Sequence, residues 1–241
     1  MSLRLLLEIA ANSLESALAA QAGGADRVEL FANLGEGGTT PSAGTIAAAR
    51  DGLRIPLYVL VRARAGDFTY SPAELDAMRR DVEACVRLGC DGVVIGALDE
   101  EGRVDMPACR ALVEVAGTMG ITFHRAFDCV ADRGAALEDV VALGCERILT
   151  SGGADDALQG ATTIAADIAR ADGRLSLMAG AGLAAANIAE VARLTGAREL
   201  HASAKLFDPG RGGDGPAGLA RGHWRSDAAT VRALRRALDG R

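Results

Sequence analysis

One short phrase returns four times along this chain. It reads Gly24-Ala25-Asp26-Arg27-Val28-Glu29-Leu30, then Gly89-Cys90-Asp91-Gly92-Val93-Val94-Ile95. It comes back as Gly144-Cys145-Glu146-Arg147-Ile148-Leu149 and as Gly196-Ala197-Arg198-Glu199-Leu200. Each copy follows an Ala- and Leu-rich stretch of helical pattern and opens a short apolar run. The phrase predicts a helix closed by a left-handed glycine, a tight turn and a buried strand. Four copies mean a repeated unit, and the spacing leaves room for one more strand and helix between copies. The expected total is eight strands and eight helices.

The strands are expected at 5–10, 27–31, 57–62, 92–96, 121–124, 147–150, 175–179 and 199–202. They read as apolar on nearly every position, the pattern of strands buried on both faces of a parallel sheet. Helix starts are marked by Asn12-Ser13, by Ser71-Pro72-Ala73-Glu74 and by Ser226-Asp227, with Pro107, Asp132 and Asn187 near others. Alternation of strand and helix through the whole chain predicts right-handed crossovers and a closed (β/α)8 barrel. An open doubly wound sheet is the competing architecture, but the GxGxxG that usually follows its first strand is missing. At 241 residues the chain matches one barrel domain of about 250 residues. No linker divides it, and a Gly/Pro-rich loop at about 206–225 follows the eighth strand as a candidate lid.

A net charge of −6 gives no basic excess to neutralise phosphates, so a nucleic-acid partner is not expected. No run of eighteen apolar residues occurs, so no membrane span is expected. The start has no secretory layout, which predicts a cytoplasmic protein. Five cysteines without a CxxC spacing fit reduced thiols. Four of them fall in helical or strand patterns as small buried hydrophobes; Cys129 falls on the expected functional rim.

In barrels of this kind the chemistry sits at the C-terminal strand ends. The polar residues follow that rule: Glu8, Glu29, Arg62, His124, Arg125, Asp128, Ser151, His201 and Ser203 all fall within or just beyond strands. Charges there are costly unless paired or functional. Glu8 with Arg62 as a core ion pair, or each histidine as a buried structural group, is the plain alternative. As a site, Glu8, Glu29, His124 and Asp128 are the candidate acid–base residues. Arg62, Arg125, Ser151, Gly152, Gly180, Gly182, His201 and Ser203 are the candidate anion-binding set, because glycine loops before a helix present backbone N–H groups. A divalent ion on Glu8, Glu29, Asp128 and the histidines lacks a tight ligand spacing. Cys129 is the one soft metal ligand on the rim. No nucleotide cofactor is implied.

The same residues resemble a known family. Leu7-Glu8-Ile9, Gly23 through Leu30, and Glu36-Gly37-Gly38-Thr39-Thr40-Pro41-Ser42 are similar to segments of the CutC copper homeostasis family. So are Arg62 with Gly66-Asp67-Phe68, Thr122-Phe123-His124-Arg125-Ala126-Phe127-Asp128, Leu149-Thr150-Ser151-Gly152-Gly153 and His201-Ala202-Ser203-Ala204. The resemblance spans about residues 5–205. It implies a cytoplasmic (β/α)8 barrel that tends to form homodimers, with a role in copper homeostasis and Cu(I) bound through cysteines. This chain carries Ala10 and Phe31 where the family commonly has those cysteines, and Ala179-Gly180-Ala181-Gly182 where it has PGGG. Two functions follow as expectations: copper handling, from the resemblance, and an enzyme acting on a small anionic metabolite, from the polar rim. A scaffold that binds a partner through an apolar patch is a weaker third.

Overall fold

The computed structural model describes residues 4–210 and 222–240. Eight parallel strands close into a barrel in chain order. They are β1 (Leu6–Ala11), β2 (Arg27–Leu30), β3 (Leu57–Leu60), β4 (Gly92–Ile95), β5 (Gly120–Phe123), β6 (Arg147–Thr150), β7 (Ser176–Gly180) and β8 (Glu199–Ala202). Closure pairs Leu6 with Glu199 and Glu8 with His201. The helices α1 (Leu14–Gly23), α2 (Ala43–Gly52), α3 (Pro72–Arg87), α4 (Met106–Ala116), α5 (Arg133–Ala142), α6 (Ala161–Ala171), α7 (Ile188–Thr195) and α8 (Ala228–Asp239) complete a (β/α)8 fold. Each expected strand is present, displaced by at most two residues at an end.

The repeated phrase does what its chemistry requires. Gly24, Gly89, Gly144 and Gly196 have φ of +94°, +71°, +77° and +74°. The chain then turns back so that Ala25, Cys90 and Cys145 donate their N–H groups to Ala20, Cys85 and Val140 of the preceding helix. In two copies the following acid locks the neighbouring strand. Asp26 accepts from the Leu7 N–H at 2.8 Å, and Asp91 from the Leu57 N–H at 2.8 Å. Ser13, Ser71, Asp132 and Asp227 cap the helices expected to start beside them, and Ser71 with Glu74 forms a capping box.

The barrel differs from its sequence reading in one respect that positions the site. Its strands alternate. Leu7, Ile9, Val28, Leu30, Leu57, Val59, Val93 and Ile95 belong to the large apolar layer between strands and helices. The alternate residues face the interior, where only Ala10, Phe31, Tyr58, Leu60 and Val94 form a small separate apolar cluster. The rest of the interior is ionic. Arg27 pairs with Glu8 and reaches past β1 to Glu199 at 2.5 Å and to the Met178 sulfur at 3.4 Å. Arg147 meets the same Glu199 at 3.0 Å and Thr122 at 3.1 Å. Both guanidinium groups lie about 5 Å from the Tyr58 ring centre. A charged, hydrogen-bonded plug thus fills the lower barrel, and a polar residue at an inward position is not by itself a sign of catalysis.

The expected loop at 206–225 has structured ends. β9 (Lys205–Asp208) and β10 (His223–Ser226) pair antiparallel, with Phe207 and Trp224 edge to face at 5.2 Å and the Lys205 ammonium 5.0 Å from the Trp224 ring centre. The remainder of that loop, and with it the lid, lies outside the described residues.

Tyr58 fits inside because its neighbours on β4 and β5 have no side chain. A Cβ on Gly92 would stand 2.1 Å from the Tyr58 ring, and one on Gly120 would stand 2.0 Å from its hydroxyl oxygen. Gly92→Ala should therefore destabilise the protein by about 1–3 kcal/mol in urea unfolding. The penalty should shrink when combined with Tyr58→Ala, and additive penalties would contradict this packing.

Candidate active site

A cavity of about 550 Å³ opens at the C-terminal ends of the strands. Glu29, Arg62, His124, Arg125, Gly182, His201 and Ser203 line it, as the barrel rule predicts. Ala10 and Phe31 line it too. Lys205, two residues beyond Ser203 at the start of β9, joins them.

Glu8, His201 and Glu29 form a line at the cavity floor. Adjacent strands bring them together: the β1–β8 register sets Glu8 beside His201, and the β1–β2 register sets Ala10 beside Glu29. The Nδ1 atom of His201 lies 2.7 Å from Glu8, and its Nε2 atom 3.5 Å from Glu29. Burial disfavours a charge on Glu8, but Arg27 and His201 outweigh it and hold its carboxyl down at about 2. With Glu8 ionised, Nδ1 of His201 carries the proton and donates it. Glu29 lacks such support. Burial pushes its carboxyl up to about 7; nearby Glu8 adds to the rise, and His201 and Arg27 oppose it. Burial disfavours the His201 imidazolium, yet the bond to Glu8 and the two carboxylates raise its pKa above the ordinary value. Two carboxylates one imidazole apart thus differ sharply in proton affinity, which is the requirement for moving a proton near neutral pH.

His124 stands on the other side of the mouth, after β5. Its Nδ1 accepts from the Ala126 N–H at 3.1 Å. Burial, with the Arg62 charge beside it, depresses its pKa to about 3. The ring is therefore neutral, and its proton sits on Nε2. That Nε2 is buried without a hydrogen-bond partner, as is the Nε of Arg62. The other Arg62 nitrogens are held by main-chain carbonyls of Glu36 (3.2 Å), Gly38 (2.9 Å) and Gly66 (2.7 Å). Phe68 packs against both groups, 5.0 Å from the His124 ring and 4.9 Å from the Arg62 guanidinium carbon. As an acid–base residue, the role expected for it, His124 is poorly suited: a neutral ring with a low pKa neither gives nor takes a proton readily. It is an N–H donor.

Other expected site residues serve the scaffold. Asp128 does not line the cavity. Its carboxylate accepts from Thr150 (2.5 Å), from the Ser151 and Gly153 N–H groups (3.0 Å each), from the Ser151 hydroxyl (3.0 Å) and from Arg125 (2.8 Å). Ser151 is held in that bracket, and the Gly152 N–H donates to Thr150 at 2.9 Å, so neither faces a ligand. Gly180 lies within β7, where its lack of a side chain leaves room for Leu149 and His201. Cys129 is exposed and outside the lining.

Metal binding can be tested on the donors present. One oxygen or nitrogen from each of Glu8, Glu29 and His201 lies within 4.8 Å of the others. Both Glu8 oxygens, however, are bonded to Arg27 and His201. The cavity lining holds oxygen and nitrogen donors and neither cysteine nor methionine, so it does not suit Cu(I), which selects sulfur.

A closed barrel with a buried Glu8–His201–Glu29 row and residues with unpaired donors lining its mouth has the layout of the (β/α)8 enzymes and small-molecule binding proteins. Comparison places the chain more narrowly. The model of the CutC family matches residues 5–206. A CutC family protein of Xanthomonas campestris pv. campestris strain B100 is 61% identical over 199 residues, 83% of each chain. One of Chromobacterium violaceum is 50% identical over 242 residues, 97% of this chain and 98% of its own. The crystal structure of CutC from Streptococcus agalactiae, a copper homeostasis protein by name, superposes with a TM-score of 0.79 at 32% identity, covering 83% of this chain and 98% of its own. The chain belongs to the CutC family.

Asp128→Asn should cost about 2–4 kcal/mol in chemical denaturation, because an amide turns one donor against the Thr150, Ser151 and Gly153 donors. A loss below 0.5 kcal/mol would show that the bracket is not what holds the β6 loop.

Proposed function

We propose that this chain is an enzyme that binds a small oxyanion-bearing metabolite in the barrel mouth and moves a proton with Glu29 and His201. The observation that carries the reading is the pairing of the Glu8–His201–Glu29 row with buried, unpaired N–H groups of His124 and Arg62 in one cavity. Buried donors without partners are rare, and at a cavity wall they mark where a ligand acceptor belongs. Arg62, Arg125 and Lys205 also line a cavity whose one acidic residue is Glu29, with Arg125 partly met by Asp128, in a protein of net charge −6. Such a mouth draws anions.

Inorganic phosphate and oxalate are suitable probes. Both should bind, and Arg125→Ala and Lys205→Ala should each weaken binding about two- to five-fold, the contribution of an exposed charge. Calorimetry that detects neither anion would overturn the reading.

A second reading starts from the copper in the family name. The cysteines that meet are Cys85, in the last turn of α3, and Cys90, two residues before β4; the Cys90 N–H donates to the Cys85 carbonyl at 3.1 Å, and each thiol perturbs the other's proton affinity. The Cys85 thiol and the nearby Arg50 charge lower the Cys90 pKa despite burial. Burial pushes the Cys109 and Cys145 thiols up to about 12, and Cys90 together with burial pushes Cys85 up further, so Cys90 is the one buried thiol whose thiolate is favoured. A copper site in this chain would therefore be built on Cys90. An anaerobic Cu(I) titration against a chromogenic chelator should show one ion per chain, lost in Cys90→Ser and kept in Cys129→Ser. No competition with the chelator would retire the copper reading. Cytoplasmic residence and a homodimer remain proposals resting on the family resemblance; among the described residues no helix is long and apolar enough to cross a membrane.

A further inference from the structure

We infer that the reaction in the barrel mouth is enolisation of a small carbonyl compound carrying an anionic group, with Glu29 as the base and neutral His124 as the electrophile that holds the carbonyl oxygen. This inference rests on the mouth being a site for oxyanion-bearing metabolites and names the chemistry done there.

The argument begins with the His124 tautomer. A backbone N–H points at Nδ1, so Nδ1 must offer a lone pair and Nε2 must carry the hydrogen. The Arg62 charge beside the ring opposes a second proton. Gly96, after β4, leaves the space the ring occupies: a Cβ there would stand 2.5 Å from its Cε1 atom. A fixed, neutral imidazole with an unpaired N–H cannot act as a base at ordinary pH. It is well matched to an oxygen that gains charge during a reaction, because it donates a strong hydrogen bond without giving up its proton. Arg62, with its own unpaired Nε–H, reinforces the positive potential at that place.

Around the barrel, β8, β1 and β2 supply His201, Glu8 and Glu29, while the segments after β3 and β5 supply Arg62 and His124. Base and oxygen-holding donors thus come from different strands and line one mouth, where a small substrate can meet both. Glu29 takes that proton. The C–H electron pair becomes a C=C double bond, and the carbonyl π pair moves to oxygen as an enolate, hydrogen-bonded by the Nε2–H of His124. Return of the proton from Glu29 to carbon restores a carbonyl, so no oxidant, reductant or co-reactant enters. Phe68 packs beside both groups and the two unpaired nitrogens are buried, so a substrate oxygen would reach them by moving a side chain such as this ring.

The intermediate of this reaction pairs an enolate with a protonated Glu29. A planar enolate analogue should therefore prefer the protein with Glu29 protonated. The groups facing Glu29 are His201 on β8, Glu8 on β1 and Arg27 on β2. Oxalate is the probe. Its affinity should fall as pH rises through the range in which Glu29 ionises, and the dependence should flatten in Glu29→Gln. Nitrogen-15 NMR should show His124 neutral with its proton on Nε2, and oxalate should move that proton's resonance downfield. His124→Ala should weaken oxalate about ten- to a hundred-fold, the range for one hydrogen bond to a charged group. His124→Gln, which keeps an N–H donor, should recover part of the loss. Bound oxalate that leaves the Nε2–H unmoved, or a His124 that titrates in the ordinary histidine range, would overturn enolisation while leaving the anion site standing. If neither oxalate nor phosphate binds, both the site and its chemistry fall together.

Discussion

Arg27 lies inside the barrel, and the chemistry above it depends on how its charge is met. Its partners come from β1 and β8, the two strands at which the sheet closes. The pair with Glu8 keeps that carboxylate ionised in a place where burial alone would protonate it. Glu8 then fixes the tautomer and plane of His201, and His201 turns its other nitrogen toward Glu29. The order of charges, from Arg27 through Glu8 and His201 to Glu29, is one continuous arrangement. Removing one partner from such a buried pair leaves the other uncompensated, at a cost of about 3–5 kcal/mol. The ionic plug is therefore both floor and orientation device for the site.

The segments that mark the family do a second job, which is to shape the mouth. Thr40 exchanges hydrogen bonds with the main chain of Arg62, and Gly38 holds the Arg62 side chain through its carbonyl. The segment around Glu36–Ser42 is thus a cradle for Arg62. The phrase from His124 to Asp128 is divided: His124 belongs to the cavity, and Asp128 is clamped by Thr150, Ser151 and Gly153 from the phrase after β6. Two of the segments most characteristic of the chain meet each other rather than a ligand. A short sequence motif can be dense with polar residues because it folds a loop.

Much of the fold was legible from sequence because its signals are local. The glycine cap acts within one turn, and each copy formed its helix–turn–strand unit. The bounds of β6 and β8 matched the reading as well. What the sequence did not show was the alternation within strands. Val28-Glu29-Leu30 reads as a buried apolar run with one exception, yet Glu29 faces a cavity while its neighbours face helices. Arg27 and Arg147 looked like strand-start residues, although they are the ionic centre of the barrel, because their partners lie 19 to 172 residues away. Glu8, Glu29 and His201 were named as site residues and stand together. The role of His124 was not legible, since it depends on a backbone N–H and on a guanidinium from another strand. Asp128 and Ser151 were drawn toward the site by their position on the rim, while their hydrogen bonds run sideways to each other.

The central claim is that the ionic floor separates the two carboxylates beside His201, leaving Glu8 ionised and Glu29 ready to take a proton near neutrality. Carbon-13 NMR of the side-chain carboxyls, titrated with pH and assigned by Glu29→Gln, reads this directly. The account predicts a Glu29 carboxyl that changes state at about 7 while the Glu8 signal stays that of an ionised carboxylate until about 2. A Glu29 that titrates together with the exposed glutamates would contradict it.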